Sequence, residues 1–203
     1  MYLSENEKEL ISKEIELLES KSSAELVAVI TKQSDNYNFE TVSISLILTT
    51  LISIISLFFE LSALKLFQIE VLSFLIFYFL FNKFNKTLLS FLPKQYKYEK
   101  AQEYAIHQFT SLGLNSTKTK QAIMFFVSFD EKYVKILTDS AISSKIENSY
   151  WQSIVDEFIK DVKRKEFANG YIKAIKACNE ILIKEFPIRN DDINELPNEV
   201  IEL

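Results

Sequence analysis

The sequence predicts a mixed α/β fold interrupted by a two-helix transmembrane hairpin. Three observations carry that prediction. Residues 42–59 run without a charge, a second apolar run ends in residues 71–81, and short strand-like runs alternate with helical stripes on both sides. The first run is long enough to cross a hydrocarbon core of roughly 30 Å. The second reaches that length only from about Leu66, which places Gln68 and Glu70 at its entrance. Two helices this apolar could instead be buried in a soluble core, but a 203-residue chain has little material to surround them.

Orientation follows from the lysines near the ends of the spans, because cytoplasmic flanks keep positive charge. Lys32 precedes the first run, and Lys83, Lys86, Lys94, Lys97 and Lys100 follow the second, against Lys65 alone between them. Both soluble segments are therefore expected on the cytoplasmic side of the inner membrane. The opening residues 1–10 carry four charged side chains and no long apolar stretch, so no export signal is expected there. The spans contain no Gly-x-x-x-Gly motif, and the Phe-rich second span is expected to face lipid. The basic stretch 83–100 directly follows a span. This position points to anionic headgroups of the lipid bilayer as its partner and away from nucleic acid.

The elements outside the hairpin follow in order. Ser4 and Glu7 make a capping box, and Leu10, Ile11, Ile15, Leu17 and Leu18 are expected on one face of the helix that follows. Residues 24–31, rich in β-branched and small side chains, read as a buried strand. About 40 residues cannot form a domain alone, so this helix and strand need partners from the second half. There, Tyr98, Ala101, Ala105, Phe109 and Leu112 form a stripe that stops at Gly113, a natural C-cap residue. Residues 122–129 and 133–137 read as two strands around the break Asp130, Glu131, Lys132, a hairpin turn without glycine. Two amphipathic helices follow, with stripes Trp151, Ile154, Val155, Phe158, Val162 and Tyr171, Ala174, Ile175, Cys178, Leu182. Three strands can share one sheet only if the hairpin returns the chain to the side it left.

The net charge of −5 hides an acidic N-terminal segment and an acidic C-terminal tail. The single cysteine, Cys178, cannot form an internal disulfide and fits a reducing compartment, as a small core residue.

The run 122–128, the segment 134–142, Trp151, the amphipathic helices and Gly170 together resemble the TPM-domain family. Glu103, Phe109, Leu114 and Thr117 fit the approach to the strand pair in its bacterial membrane forms, and Phe186, Pro187 and residues 192–197 fit their tail. The resemblance implies an α/β/α sandwich around a small mixed sheet. Residues 1–39 and 94–187 would form a discontinuous TPM-like domain, residues 40–93 the hairpin with its basic exit, and residues 188–203 an acidic tail. It also implies either a phosphatase or an assembly and modulation factor. Two departures stand out. Residues 138–142 contain no glycine where many members have a glycine-rich turn, which weakens any close backbone approach to phosphate. Many members face outward, whereas this chain is expected to face the cytoplasm.

Chemistry falls to carboxylates. His107, the sole histidine, sits beside the helical stripe and is expected at the surface, without partners for general-base work. No phosphate-binding glycine loop, cysteine pair or nucleophile elbow is present. Asp35 follows the first strand and Asp139 the third; were those strands parallel, both would emerge at one sheet edge, where ligands of open α/β sheets bind. Two carboxylates with loop carbonyls suit Ca²⁺ or Mg²⁺, which could hold a phosphomonoester. The alternative is that both are turn residues and caps. In the tail, Asp191, Asp192 and Glu195 lack the central glycine of an EF-hand loop, so Leu196, Val200, Ile201 and Leu203 are expected to pack while the acids face water. Trp151 is expected as a core anchor, with Ser149 and Gln152 forming its helix cap.

Two functions follow. One is a membrane-anchored module that binds, assembles or modulates another membrane protein from the cytoplasmic side. The other is a metal-assisted phosphatase with Asp35 and Asp139 as ligands and no nucleophile identified.

Overall fold

A computed structural model describes residues 3–164, 166–189 and 193–203. The chain divides into two compact units, residues 1–34 with 100–203, and residues 35–99.

The first unit is built on a four-stranded mixed sheet. β1 (Glu25–Thr31) pairs in parallel with β2 (Ala122–Ser128), from Glu25 opposite Ala122 to Thr31 opposite Ser128. A parallel pair needs a crossover connection, and the residues between the two strands supply it. β2 turns back antiparallel into β3 (Tyr133–Thr138) through the glycine-free turn, in which Lys132 takes a left-handed backbone. β4 (Ile201–Glu202) adds to the other side of β1 in parallel, so the order is β3-β2-β1-β4. Every residue of β1 and β2 is buried, as their apolar runs require of strands covered on both faces.

Leu26, Ala28, Ile30, Ile123, Phe125 and Val127 project to one face. There they pack with α1 (Glu5–Glu19), α7 (Asn148–Lys163) and α8 (Phe167–Glu185). Phe125 is the centre of this core, with ring centroids 4.7 Å from Tyr171 and 5.2 Å from Phe158. The Tyr171 hydroxyl donates to the Phe125 carbonyl at 3.0 Å, which satisfies a polar group that would otherwise be costly to bury. On the opposite face Tyr104 of α5 (Lys94–Ser111) approaches Phe126, completing the α/β/α layering. Gly113 follows α5 with a positive φ, the left-handed conformation that glycine adopts without steric cost.

Two helical faces differ from the sequence expectation. The capping box of Ser4 and Glu7 forms, but Leu10 and Leu17 are exposed while Ile11, Ile15 and Leu18 alone are buried. The buried set follows an i, i+4, i+7 line, and the two leucines lie one residue off it. On α7 the same slip places Asp161, not Val162, in the buried stripe. Helix α7 also begins without a side-chain cap. Ser149 bonds Glu147 and Gln152 bonds Asp156, so neither caps the helix as expected.

The second unit is a helical hairpin, α2 (Asn38–Ser56) and α3 (Ala63–Lys83), followed by the short α4 (Asn85–Phe91). Both long helices are long and apolar enough to cross a membrane, and their apolar windows are only 17% and 6% buried. What α2 buries is polar: Thr41, Ser45, Thr49 and Ser56, with Ser73 of α3. No Gly-x-x-x-Gly motif is needed, because Thr41, Ser45 and Thr49 recur every four residues and small side chains let helix backbones approach closely. Two of these hydroxyls bond back along the helix, Thr41 to the Tyr37 carbonyl at 2.9 Å and Ser45 to the Thr41 carbonyl at 2.7 Å. At the base, Tyr37, Phe81, Leu88 and Leu89 form a small apolar cluster, beside which the Tyr96 hydroxyl donates to the Glu40 carboxylate.

Candidate functional site

The strand directions decide the carboxylate pair. β1 and β3 both flank β2, one parallel and the other antiparallel, so they oppose each other. The chain leaves β1 at the edge where β3 begins, and Asp139 follows the other end of β3. The parallel arrangement that would have brought Asp35 and Asp139 to one edge is absent. Each also has a local task. Asp35 Oδ1 accepts the Tyr37 N–H at 3.2 Å, the turn that launches α2. Asp139 Oδ1 accepts the Ser140 N–H at 2.6 Å and caps α6 (Ser140–Ser143). Among the described residues no group of three or more His, Cys, Asp or Glu side chains is placed to hold a metal ion. Asp139 Oδ2 is buried without a hydrogen-bond partner among the described residues.

The other residues named from sequence are quickly placed. His107 is exposed on α5, with Ser111 as a helical neighbour. Cys178 is fully buried, and burial pushes its thiol up to about 12, so it is an inert core residue. Trp151 is buried, and its Nε1 has no hydrogen-bond partner among the described residues. Glu195 accepts from the Lys118 N–H and donates its own N–H to Glu25, tying the tail to the domain. Asp191 and Asp192 lie outside the described residues.

Two polar sites were not anticipated. The first lies at the carboxyl edge of the parallel pair β1 and β2. Glu131, in the β2–β3 turn, is only 2% exposed. Its Oε1 accepts the Ser34 N–H at 3.0 Å and its Oε2 the Ser128 hydroxyl, which in turn accepts from the Ser34 hydroxyl at 2.8 Å. A turn carboxylate ordinarily faces water, so its burial is visible only once the strands are paired. With both oxygens engaged, the group acts as a clamp on the segment leaving β1.

The second site is an open groove of about 570 Å³ along α7 and α8. Asp161 lines it, paired with Arg164 and, at 3.2 Å, with Lys173. The Arg164 guanidinium and then the Lys173 ammonium hold its carboxyl below the usual range. Gly170 permits this crossing: a Cβ there would come within 2.7 Å of the Asp161 Cβ. The i+3 spacing of Asp161 from Phe158 and of Arg164 from Asp161 was the signal available in the sequence.

Residues 87–181 match the profile of the TPM domain. The chain is similar to the NMR structure of the BA42 protein from the psychrophilic bacterium Bizionia argentinensis, with a TM-score of 0.63 and 17% identity, covering 100% of this chain and 97% of that one. At that identity the likeness speaks to the fold alone. No curated protein matches the chain.

Proposed function

We propose that the chain, whose residues 87–181 match the TPM domain, is a membrane-anchored TPM protein whose soluble unit faces the cytoplasm. There it binds or modulates another membrane protein. One observation carries the anchor: the two long helices bury hydroxyls and leave most of their leucines, isoleucines and phenylalanines exposed, Phe67 and Phe79 each to 63%. An aqueous surface this apolar would drive association, whereas a bilayer solvates it. The excess of lysines flanking the spans supports the cytoplasmic orientation. The binding role needs no catalytic group, and the paired charges along the α7–α8 groove offer a surface for it.

Alkaline carbonate washing of membranes carrying the full chain tests the anchor. Retention in the pellet with release by detergent is expected; release by carbonate alone sinks the reading. The competing reading is a phosphatase with Ca²⁺ or Mg²⁺ on Asp35 and Asp139. It calls for phosphomonoester hydrolysis by the detergent-purified chain that is abolished in an Asp35→Asn, Asp139→Asn double variant. Equal background rates in both proteins are expected.

A further inference from the structure

We infer that the elbow following α3 binds the phosphodiester headgroups of anionic phospholipids, through Lys83, Lys86 and Lys94 set beside the exposed rings of Phe84 and Phe91. The inference rests on the membrane reading above and adds to it a lipid class and a set of contacts.

The elbow is formed by a backbone break. Phe84, at φ −115° and ψ 69°, ends α3 and starts α4 in a new direction. Helix α4 then sorts its side chains. Leu88 and Leu89 turn inward onto Tyr37 and Phe81, while Phe84 and Phe91 remain 51% and 57% exposed. The Phe91 ring meets Phe81 edge-on at 5.7 Å, which fixes it at the foot of the hairpin.

Charge is sorted as cleanly. Residues 83–98 contain four lysines and no acid. Lys97 is used internally, donating to the Leu89 carbonyl at 2.8 Å. Lys83, Lys86 and Lys94 are exposed and have no carboxylate partner among the described residues; Lys83 and Lys94 rest over the rings of Phe84 and Tyr98. The nearby acids are engaged elsewhere, Glu40 by Tyr96 and Glu99 by Gln95.

Exposed aromatic rings alternating with unpaired ammonium groups, at the end of an apolar span, match the depth profile of a bilayer interface. Rings sit at the headgroup boundary and lysines reach the phosphates. An acidic protein segment would satisfy the lysines but not the exposed phenylalanines, which makes lipid the better fit.

The test uses the full chain, purified in mild detergent and offered an equal mixture of phosphatidylglycerol and phosphatidylcholine, with retained lipid counted by native mass spectrometry. Preferential retention of phosphatidylglycerol that weakens with salt is expected. A Lys83→Gln, Lys86→Gln, Lys94→Gln variant loses it, by about fivefold per lysine and about a hundredfold for three at low salt. The matching arginine variant keeps the preference, and a Lys118→Gln, Lys163→Gln, Lys184→Gln control is unaffected. No preference in the native chain, or equal loss in the control, overturns the inference. Carbonate washing separates the two readings: a chain that stays in the pellet without lipid preference refutes only the headgroup site, and a chain that washes out refutes the anchor beneath it.

Discussion

The two units bury opposite kinds of side chain. In the sheet unit Phe125, Phe158 and Tyr171 are inside and most charges are outside, the paired carboxylates of Glu131 and Asp161 being buried exceptions. Along the two long helices of the hairpin, small hydroxyl residues are inside, and most leucines, isoleucines and phenylalanines are outside. Under the membrane reading proposed above, the same physics produces both arrangements, because the solvent differs. In water, apolar burial is worth about 25 cal/mol per Å². Between apolar helices in an apolar solvent that term vanishes, and close contact through small residues takes its place.

The largest expected effect lies in the sheet unit. Phe125→Ala removes the ring shared by Phe158 and Tyr171 and should cost about 3–5 kcal/mol, read from denaturant unfolding. The matched hairpin change, Leu72→Ala on an exposed position, should leave helix packing almost unchanged. A comparable loss from Leu72→Ala would mean that the outer face is packed against protein.

Next come the small residues, where the units should behave alike. Gly170→Ala drives a methyl into the Asp161 Cβ, and Ser45→Leu forces α2 and α3 apart. Each should cost about 1–3 kcal/mol as overpacking, and Ser45→Ala should be mild. If Ser45→Leu is tolerated in thermal unfolding, the Ser and Thr stripe does not set the helix spacing.

The α7–α8 ion cluster gives a smaller, pH-dependent effect. Arg164 and Lys173 lower the Asp161 pKa in the folded state, so its stabilisation is present above the unfolded carboxyl value of about 3.9 and fades as pH falls through the depressed folded value. Asp161→Asn should flatten the acid limb of a stability–pH profile and leave the hairpin untouched. The smallest effect is chemical: with its thiol buried and raised to about 12, Cys178 should resist alkylating reagents at neutral pH until the sheet unit unfolds.

What the sequence revealed follows the range of the forces involved. Hairpin length, the strands β1 to β3 and the stripes of α7 and α8 rest on local periodicity, and all three could be read directly except at the end of the α7 stripe, where Asp161 and not Val162 is buried. The fourth strand could not. It pairs only Val29 with Ile201 and Ile30 with Glu202, a two-residue contact between distant segments of the chain. Strand direction failed for the same reason: nothing local to Thr138 says that β3 opposes β1, and the expected metal pair depended on it. Asp161 and Glu131 were missed because a charged side chain reads as solvent-facing until its partners, Arg164 and Lys173 or Ser34 and Ser128, come into view. The Ser and Thr stripe was overlooked because hydroxyls in an apolar run look like interruptions and not like the contact face.

The bond from Ser34 to Glu131 spans 97 residues. On a ribosome adding roughly 5–20 residues per second, β1 waits about 5–20 s after its own synthesis before β2 and the turn carrying Glu131 exist. Through that interval seven side chains destined for burial have no sheet to join. Both hairpin helices are completed first. The order of synthesis therefore makes the hairpin the early event and closure of the sheet the late one. The unpaired edge of β1 is the segment that a holding chaperone would have reason to cover.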